Sequence, residues 1–128
     1  MATSRELPVS RGRVLVVDDD PAIRTFLTDF LEQLNFLVRA VPNGATALDV
    51  FHTEPFDLIL VDLQMPGMTG LEVAAEIRKT APHIPIALMT GTYNTLDHEA
   101  IIQAGINHTF AKPFNLDDLS LWLSSLAC

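Results

Sequence analysis

The chain has 128 residues, 48% of them apolar, which is enough for one sizeable core and excludes a disordered or fibrous protein. Sixteen Asp and Glu against eight Lys and Arg give a formal charge of −8, which leaves no basic stripe for nucleic acid and disfavours an anionic membrane surface. A single cysteine, Cys128, admits no internal disulfide, so a reducing, cytoplasmic setting is expected.

Residues 1–12 mix Ser, Pro, Gly and Arg without periodicity and read as a flexible lead-in to a folded domain over 13–127. They hold no apolar core of a signal peptide, and no apolar run approaches the roughly 20 residues that span a bilayer. Residues 14–17 are a short β-branched run, predicted as a strand. Ile23, Phe26, Leu27, Phe30, Leu31 and Leu34 then recur at helical spacing as one apolar stripe. Asp20-Pro21 opens that helix with an N-cap carboxylate and a proline at the first helical position. A strand over 36–40, a turn at Asn43-Gly44 and a helix over 45–53 come next. Residues 58–61 form a fully apolar strand, Met65-Pro66-Gly67 a turn, and Thr69 or Gly70 opens a helix running to residue 80. Another apolar strand covers 84–89, and a weaker helix over 95–104 ends at Gly105. A short strand covers 109–111, and Asn115 caps a last helix that reaches residue 126. In it, Leu116, Leu119, Leu123 and Leu126 are the predicted buried stripe, with Leu121 and Trp122 outside it as a candidate partner surface. Five strands alternating with five helices predict an α/β fold whose parallel sheet is covered on both faces.

The residues just beyond the strands carry the chemistry. The first strand ends in Asp18, Asp19 and Asp20, the third in Asp62, the fourth in Thr90, and the fifth in Lys112, one of only two lysines. In a parallel α/β sheet the carboxyl ends of all strands share one edge, where such folds bind ligands. Carboxylates brought together there repel unless a cation joins them. Oxygen donors with no His or Cys nearby favour Mg²⁺, which takes one or two carboxylates and keeps its waters. A remaining carboxylate can attack phosphorus and form an acyl phosphate, with Thr90 and Lys112 stabilising the phosphoryl oxygens. Asp20, before Pro21, reads as a helix cap. The histidines His52, His83, His98 and His108 show no metal-ligand spacing.

The segments VLVVDDDP, DLILVDLQMPGMTG, PIALMTG and FAKPF resemble the four signature segments of the receiver domain of two-component response regulators. The resemblance covers 13 to about 127, in order. It implies a five-stranded sheet in the order 2-1-3-4-5, with Asp62 as the phosphoacceptor. It assigns Asp19 as a direct Mg²⁺ ligand, Asp18 as one acting through water, and the backbone carbonyl of Gln64 as a further ligand beside Asp62. Thr90 matches the switch hydroxyl and Lys112 the lysine that pairs with the phosphoryl group, with a cis Lys112-Pro113 bond. Gln64 and Thr92 occupy the positions that tune phosphoryl lifetime; neither is acidic, and Gly91 leaves the site open. The chain departs from the family at Thr109, where an aromatic residue is usual. Phe110, one place later, faces the other side of its strand and reads as core. The usual coupling between the switch threonine and an aromatic ring is then absent, and Tyr93 is the candidate substitute.

The function implied is a phosphorylation-dependent switch. A histidine kinase or histidine phosphotransfer protein donates the phosphoryl group, and the changed surface binds a downstream protein or a second copy of the chain. No nucleic-acid or membrane binding is expected, and the only catalysis is of its own phosphoryl transfer and dephosphorylation. With no room for an output domain, the chain reads as a stand-alone receiver or one cut from a larger protein. A haloacid-dehalogenase-like phosphohydrolase is the alternative, but its nucleophile motif after the first strand fails at Ala22. A phosphorylation-incompetent scaffold is disfavoured because every required residue type is present.

Overall fold

The apolar runs at 14–17, 58–61 and 86–89 have no polar side chain to turn toward water, so the strands they form must be covered on both faces. The computed structural model describes residues 10–91 and 97–126. Its strands are β1 (Gly12–Val17), β2 (Phe36–Val41), β3 (Leu58–Asp62), β4 (Ile86–Thr90) and β5 (His108–Ala111). They form one parallel sheet in the order β2-β1-β3-β4-β5. Helices α1 (Pro21–Gln33), α2 (Gly44–Thr53), α3 (Gly70–Thr80), α4 (His98–Gln103) and α5 (Leu116–Leu126) alternate with them. This is the α/β architecture and strand order expected.

Alternation along the strands sorts the core into two layers. Leu15, Val17, Ile59, Val61, Ile86 and Leu88 pack with Ala47, Val50, Val73, Ile77 and Ile101 of α2, α3 and α4. Val14, Val16, Leu58, Leu60, Met89 and Phe110 pack with Leu27, Leu31, Leu119, Trp122 and Leu123 of α1 and α5. Because the chain turns back after β2 and continues on the far side of β1, helices cover both faces.

The helix starts reflect the cap chemistry. Asp20 accepts from the Ala22 N–H at 2.9 Å, and Asn43 from the Thr46 N–H at 2.8 Å. Asn115 accepts from Asp117 and Asp118, and Thr69 with Glu72 forms a reciprocal capping box. Gly105, at φ +80°, ends α4 in a conformation that side chains rarely adopt.

Several expectations need correction. Trp122 is only 9% exposed and belongs to the core, not to the surface beside Leu121, which is 69% exposed. The buried stripe of α5 is Leu119, Trp122, Leu123 and the half-buried Leu126, because the indole covers the edge of Phe110 at 5.8 Å between ring centroids. Phe26, placed on the buried stripe of α1, is 43% exposed, whereas Leu27 and Leu31 carry the contact. β4 begins at Ile86, after Pro85, rather than at residue 84, and α2 begins at Gly44. The described part of α4 begins at His98, and the start of its predicted span lies outside the described residues. The sheet starts at Gly12, and Arg11 already donates its N–H to the Asn35 carbonyl.

Candidate functional site

Each polar residue of the site sits where a strand runs out of apolar neighbours. Asp18 comes directly after β1, Asp62 and Thr90 are the last residues of β3 and β4, and Lys112 comes directly after β5. Adjacent pairing of β1 with β3 and of β3 with β4 brings these ends together. Asp18 and Thr90 are fully buried and Asp62 is nearly so. Lys112 is anchored by its own N–H, which donates to the Thr90 carbonyl at 2.8 Å. Its ammonium then donates to Asp18 Oδ2 at 2.9 Å and to Asp62 Oδ1 at 3.1 Å. The other oxygen of Asp18, Oδ1, accepts from the Asp20 N–H at 2.9 Å.

Asp18, Asp19 and Asp62 each offer a carboxylate oxygen within 4.8 Å of the others. Asp19 is exposed and borders a shallow apolar cleft with Pro42, Gly44, Pro66 and Met68. Burial raises the Asp62 carboxyl above its ordinary range; repulsion from Asp18 and Asp19 adds to this, and the hydrogen bond from Lys112 opposes it. For Lys112, burial is the largest influence and favours the neutral amine. The bonds to Asp18 and Asp62 together outweigh it, so the ammonium is held above its ordinary value. The site thus sets three carboxylates against one ammonium, which leaves two negative charges without a built-in partner. A hard divalent ion such as Mg²⁺ suits that donor set, with Asp19 and Asp62 best placed to reach it because Asp18 has both oxygens engaged.

The close backbone at Asp62 depends on a glycine. A Cβ at Gly70 would run into the backbone carbonyl of Asp62, so only glycine lets α3 start this near the strand end. Gln64 lies exposed on the β3–α3 connection, two residues beyond Asp62. Among the described residues, a Cβ at Gly91 would meet nothing within 4 Å. The Lys112-Pro113 peptide is cis. Thr92 and Tyr93 lie outside the described residues. On β5, Thr109 is half-buried while Phe110 is buried on the α5 side, as the strand alternation required. Arg24 joins the site from α1: its Nη1 donates to the Asp18 carbonyl at 2.8 Å. Its signal was its place in the first turn of α1, since helical side chains lean toward the N-terminus and thus toward the acidic loop.

The chain as a whole resembles known proteins. The response regulator receiver domain family model matches residues 14–123, and the chain belongs to that family of two-component signalling domains. Sensor histidine kinase GacS of Pseudomonas protegens is 37% identical over 108 residues, covering 80% of this chain and 12% of its own. Response regulator MprA of Mycolicibacterium vanbaalenii is 35% identical over 107 residues, covering 84% of this chain and 46% of its own. The chain therefore spans less than half the length of these curated relatives. Response regulator TrrA of Thermotoga maritima, solved in complex with Mg²⁺-BeF, is 35% identical. It superposes with a TM-score of 0.82 over 89% of this chain and 97% of that one. TrrA was also solved in complex with the histidine kinase ThkA, giving a TM-score of 0.81 at 35% identity over 91% of this chain and 98% of that one. Among the described residues no helix is long and apolar enough to cross a membrane.

Proposed function

We propose that this receiver domain, over residues 13–127 with 1–12 as a lead-in, is a switch that takes a phosphoryl group onto Asp62 from a phosphohistidine. The observation that carries the reading is the Lys112 ammonium shared between Asp18 Oδ2 and Asp62 Oδ1 beside the exposed carboxylate of Asp19. Asp62 Oδ2, the oxygen that Lys112 does not hold, forms the new O–P bond as the N–P bond of the donor breaks. The electron pair of that bond stays on the imidazole nitrogen of the leaving histidine. Asp19, Asp62 and the Gln64 carbonyl would hold a Mg²⁺ ion, with Asp18 acting through water, and the ion would supply neutralising charge for the phosphoryl oxygens. Lys112 tracks the charge from the carboxylate to the phosphoryl group, and the Thr90 hydroxyl hydrogen-bonds it. Gln64, two residues beyond Asp62, and Thr92, two beyond Thr90, bring no carboxylate to the sequence at those positions.

The added charge shifts a two-state equilibrium in the connection after β4 and in the neighbouring α4–β5–α5 surface. Leu121 belongs to the partner side of that surface. A histidine kinase or histidine phosphotransfer protein is the donor, a downstream protein or a second copy the recipient, and the cytoplasm the setting. The complex of TrrA with ThkA supports a kinase as the donor. The phosphohydrolase alternative is disfavoured because Asp18, the residue after β1, has no solvent exposure and both oxygens engaged.

Intact mass after incubation with acetyl phosphate tests the reading. One Mg²⁺-dependent phosphoryl adduct is expected, absent in Asp62→Asn. No adduct in the wild type, or an adduct that persists in Asp62→Asn, would overturn it.

A further inference from the structure

The backbone on either side of Asp19 is held by hydrogen bonds. The Asp18 N–H donates to the Val41 carbonyl at 3.2 Å, the Asp20 N–H to Asp18 Oδ1 at 2.9 Å, and the Ala22 N–H to Asp20 Oδ1 at 2.9 Å. The remaining tie comes from a side chain outside the loop. Arg24 reaches back from α1 and donates from Nη1 to the Asp18 carbonyl at 2.8 Å, in a partly buried position. That carbonyl lies in the same rigid peptide plane as the nitrogen and Cα of Asp19. Whatever fixes the direction of the Asp18 carbonyl therefore fixes where the Asp19 side chain begins.

The placement of Arg24 is unfavourable for the helix itself. It lies in the opening turn of α1, the end of a helix that disfavours cations, next to the Asp20 cap carboxylate that accepts from the Ala22 N–H. A charged donor to a carbonyl is worth roughly twice a neutral one, so the bond to Asp18 offsets what the helix loses. Among the described residues, Arg24 forms no ion pair with Asp18, Asp19 or Asp62, so it acts on the loop and not on a ligand.

We infer that Arg24 is a positioning residue for the divalent-cation site, acting through the Asp18–Asp19 peptide to aim the Asp19 carboxylate. The inference rests on the proposed reading of the acidic cluster as that site. It also has a sign that separates it from simple electrostatics. A nearby guanidinium repels a dication, so if its field were its only effect, removing it would tighten binding. If Arg24 positions Asp19, removing it weakens binding.

Calorimetric titration of Mg²⁺ into the full chain, as wild type, Arg24→Met, Arg24→Lys and Asp19→Asn, decides between these. Amide exchange of the metal-free proteins provides a second readout. Arg24→Met is expected to weaken Mg²⁺ binding about tenfold, the lower end for residues that orient metal ligands. It should also speed exchange at the Asp19 and Asp20 amides. Arg24→Lys, which keeps a charged donor, should recover most of both. With saturating Mg²⁺, phosphoryl adduct formation in Arg24→Met should regain the wild-type rate. Unchanged or tighter binding in Arg24→Met, while Asp19→Asn loses it, would overturn the positioning role alone. Wild type that binds no better than Asp19→Asn would overturn the site reading and this inference with it.

Discussion

The Lys112 ammonium donates to Asp18 Oδ2 at 2.9 Å across 94 residues of sequence, and Asp18 has no exposure to solvent. Burying a charge in this way is costly unless a partner compensates it. Lys112→Met removes that partner from Asp18 and from Asp62 together. It should cost about 3 kcal/mol in urea unfolding, the range for breaking a buried ion pair. Asp18→Asn combined with Lys112→Met should recover a measurable part of the loss, because the two residues are coupled.

The raised carboxyl of Asp62 gives stability a pH dependence of known sign. The folded state binds the proton more tightly than the unfolded chain, so this group favours folding at low pH. That contribution is full below the ordinary Asp range and is lost as pH rises through the higher folded value. In metal-free buffer at pH 7, Asp62→Asn should therefore melt above wild type, by a few degrees for a domain of this size. The gap should close toward acid pH, where the wild-type carboxyl is protonated, and should shrink when Mg²⁺ is added. Paired melting curves with chelator and with Mg²⁺ check both.

Arg78 ties three segments at the opposite side of α3. Its guanidinium donates to the Gly105, Ala81 and Ile84 carbonyls and to Asn107 Oδ1, at 2.6 to 3.1 Å. Asn107 Oδ1 also accepts from the Ile86 N–H at the start of β4. Arg78→Met leaves several carbonyls without their donor and should cost about 2–3 kcal/mol in denaturant unfolding. Lysine at this position should rescue little, since a single ammonium cannot reproduce the fork.

The aromatic group on the α5 side separates packing from surface. His108 lies 4.5 Å from Phe110 and 6.0 Å from Trp122 between ring centroids. Phe110→Ala should cost about 3–4 kcal/mol and shift Trp122 emission to longer wavelength as the indole gains water. Leu121→Ser, one residue from Trp122 but 69% exposed, should change stability by less than about 0.5 kcal/mol. If Leu121 serves a partner, that variant should lose partner binding with an unchanged melting curve.

Much of this site is legible in the residues because strand ends are marked twice, by the last apolar residue and by the polar one after it. That marking alone puts Asp18, Asp62, Thr90 and Lys112 on one edge. The phase of α5 is harder to read. Leu116, Leu119, Leu123 and Leu126 make a self-consistent stripe, and so do Leu119, Trp122, Leu123 and Leu126. Only Phe110, arriving from β5 on the same face, chooses between them. Phe26 fails for a related reason, since the apolar stripe of α1 is wider than the strip the sheet can cover. Arg24 escapes notice because it touches a backbone oxygen, a contact that the apolar pattern of its helix does not encode.

The acidic cluster and its cation are made at different times. Asp18, Asp19 and Asp62 leave the ribosome well before Lys112, which lies beyond the last strand of the sheet. A nascent chain that has reached only β4 holds converging carboxylates with no ammonium among them and an uncovered strand edge. Completion of the domain should therefore come as one late event, when residue 112 becomes available to the carboxylates of β1 and β3. Chains cut short before that point should therefore remain open to proteolysis.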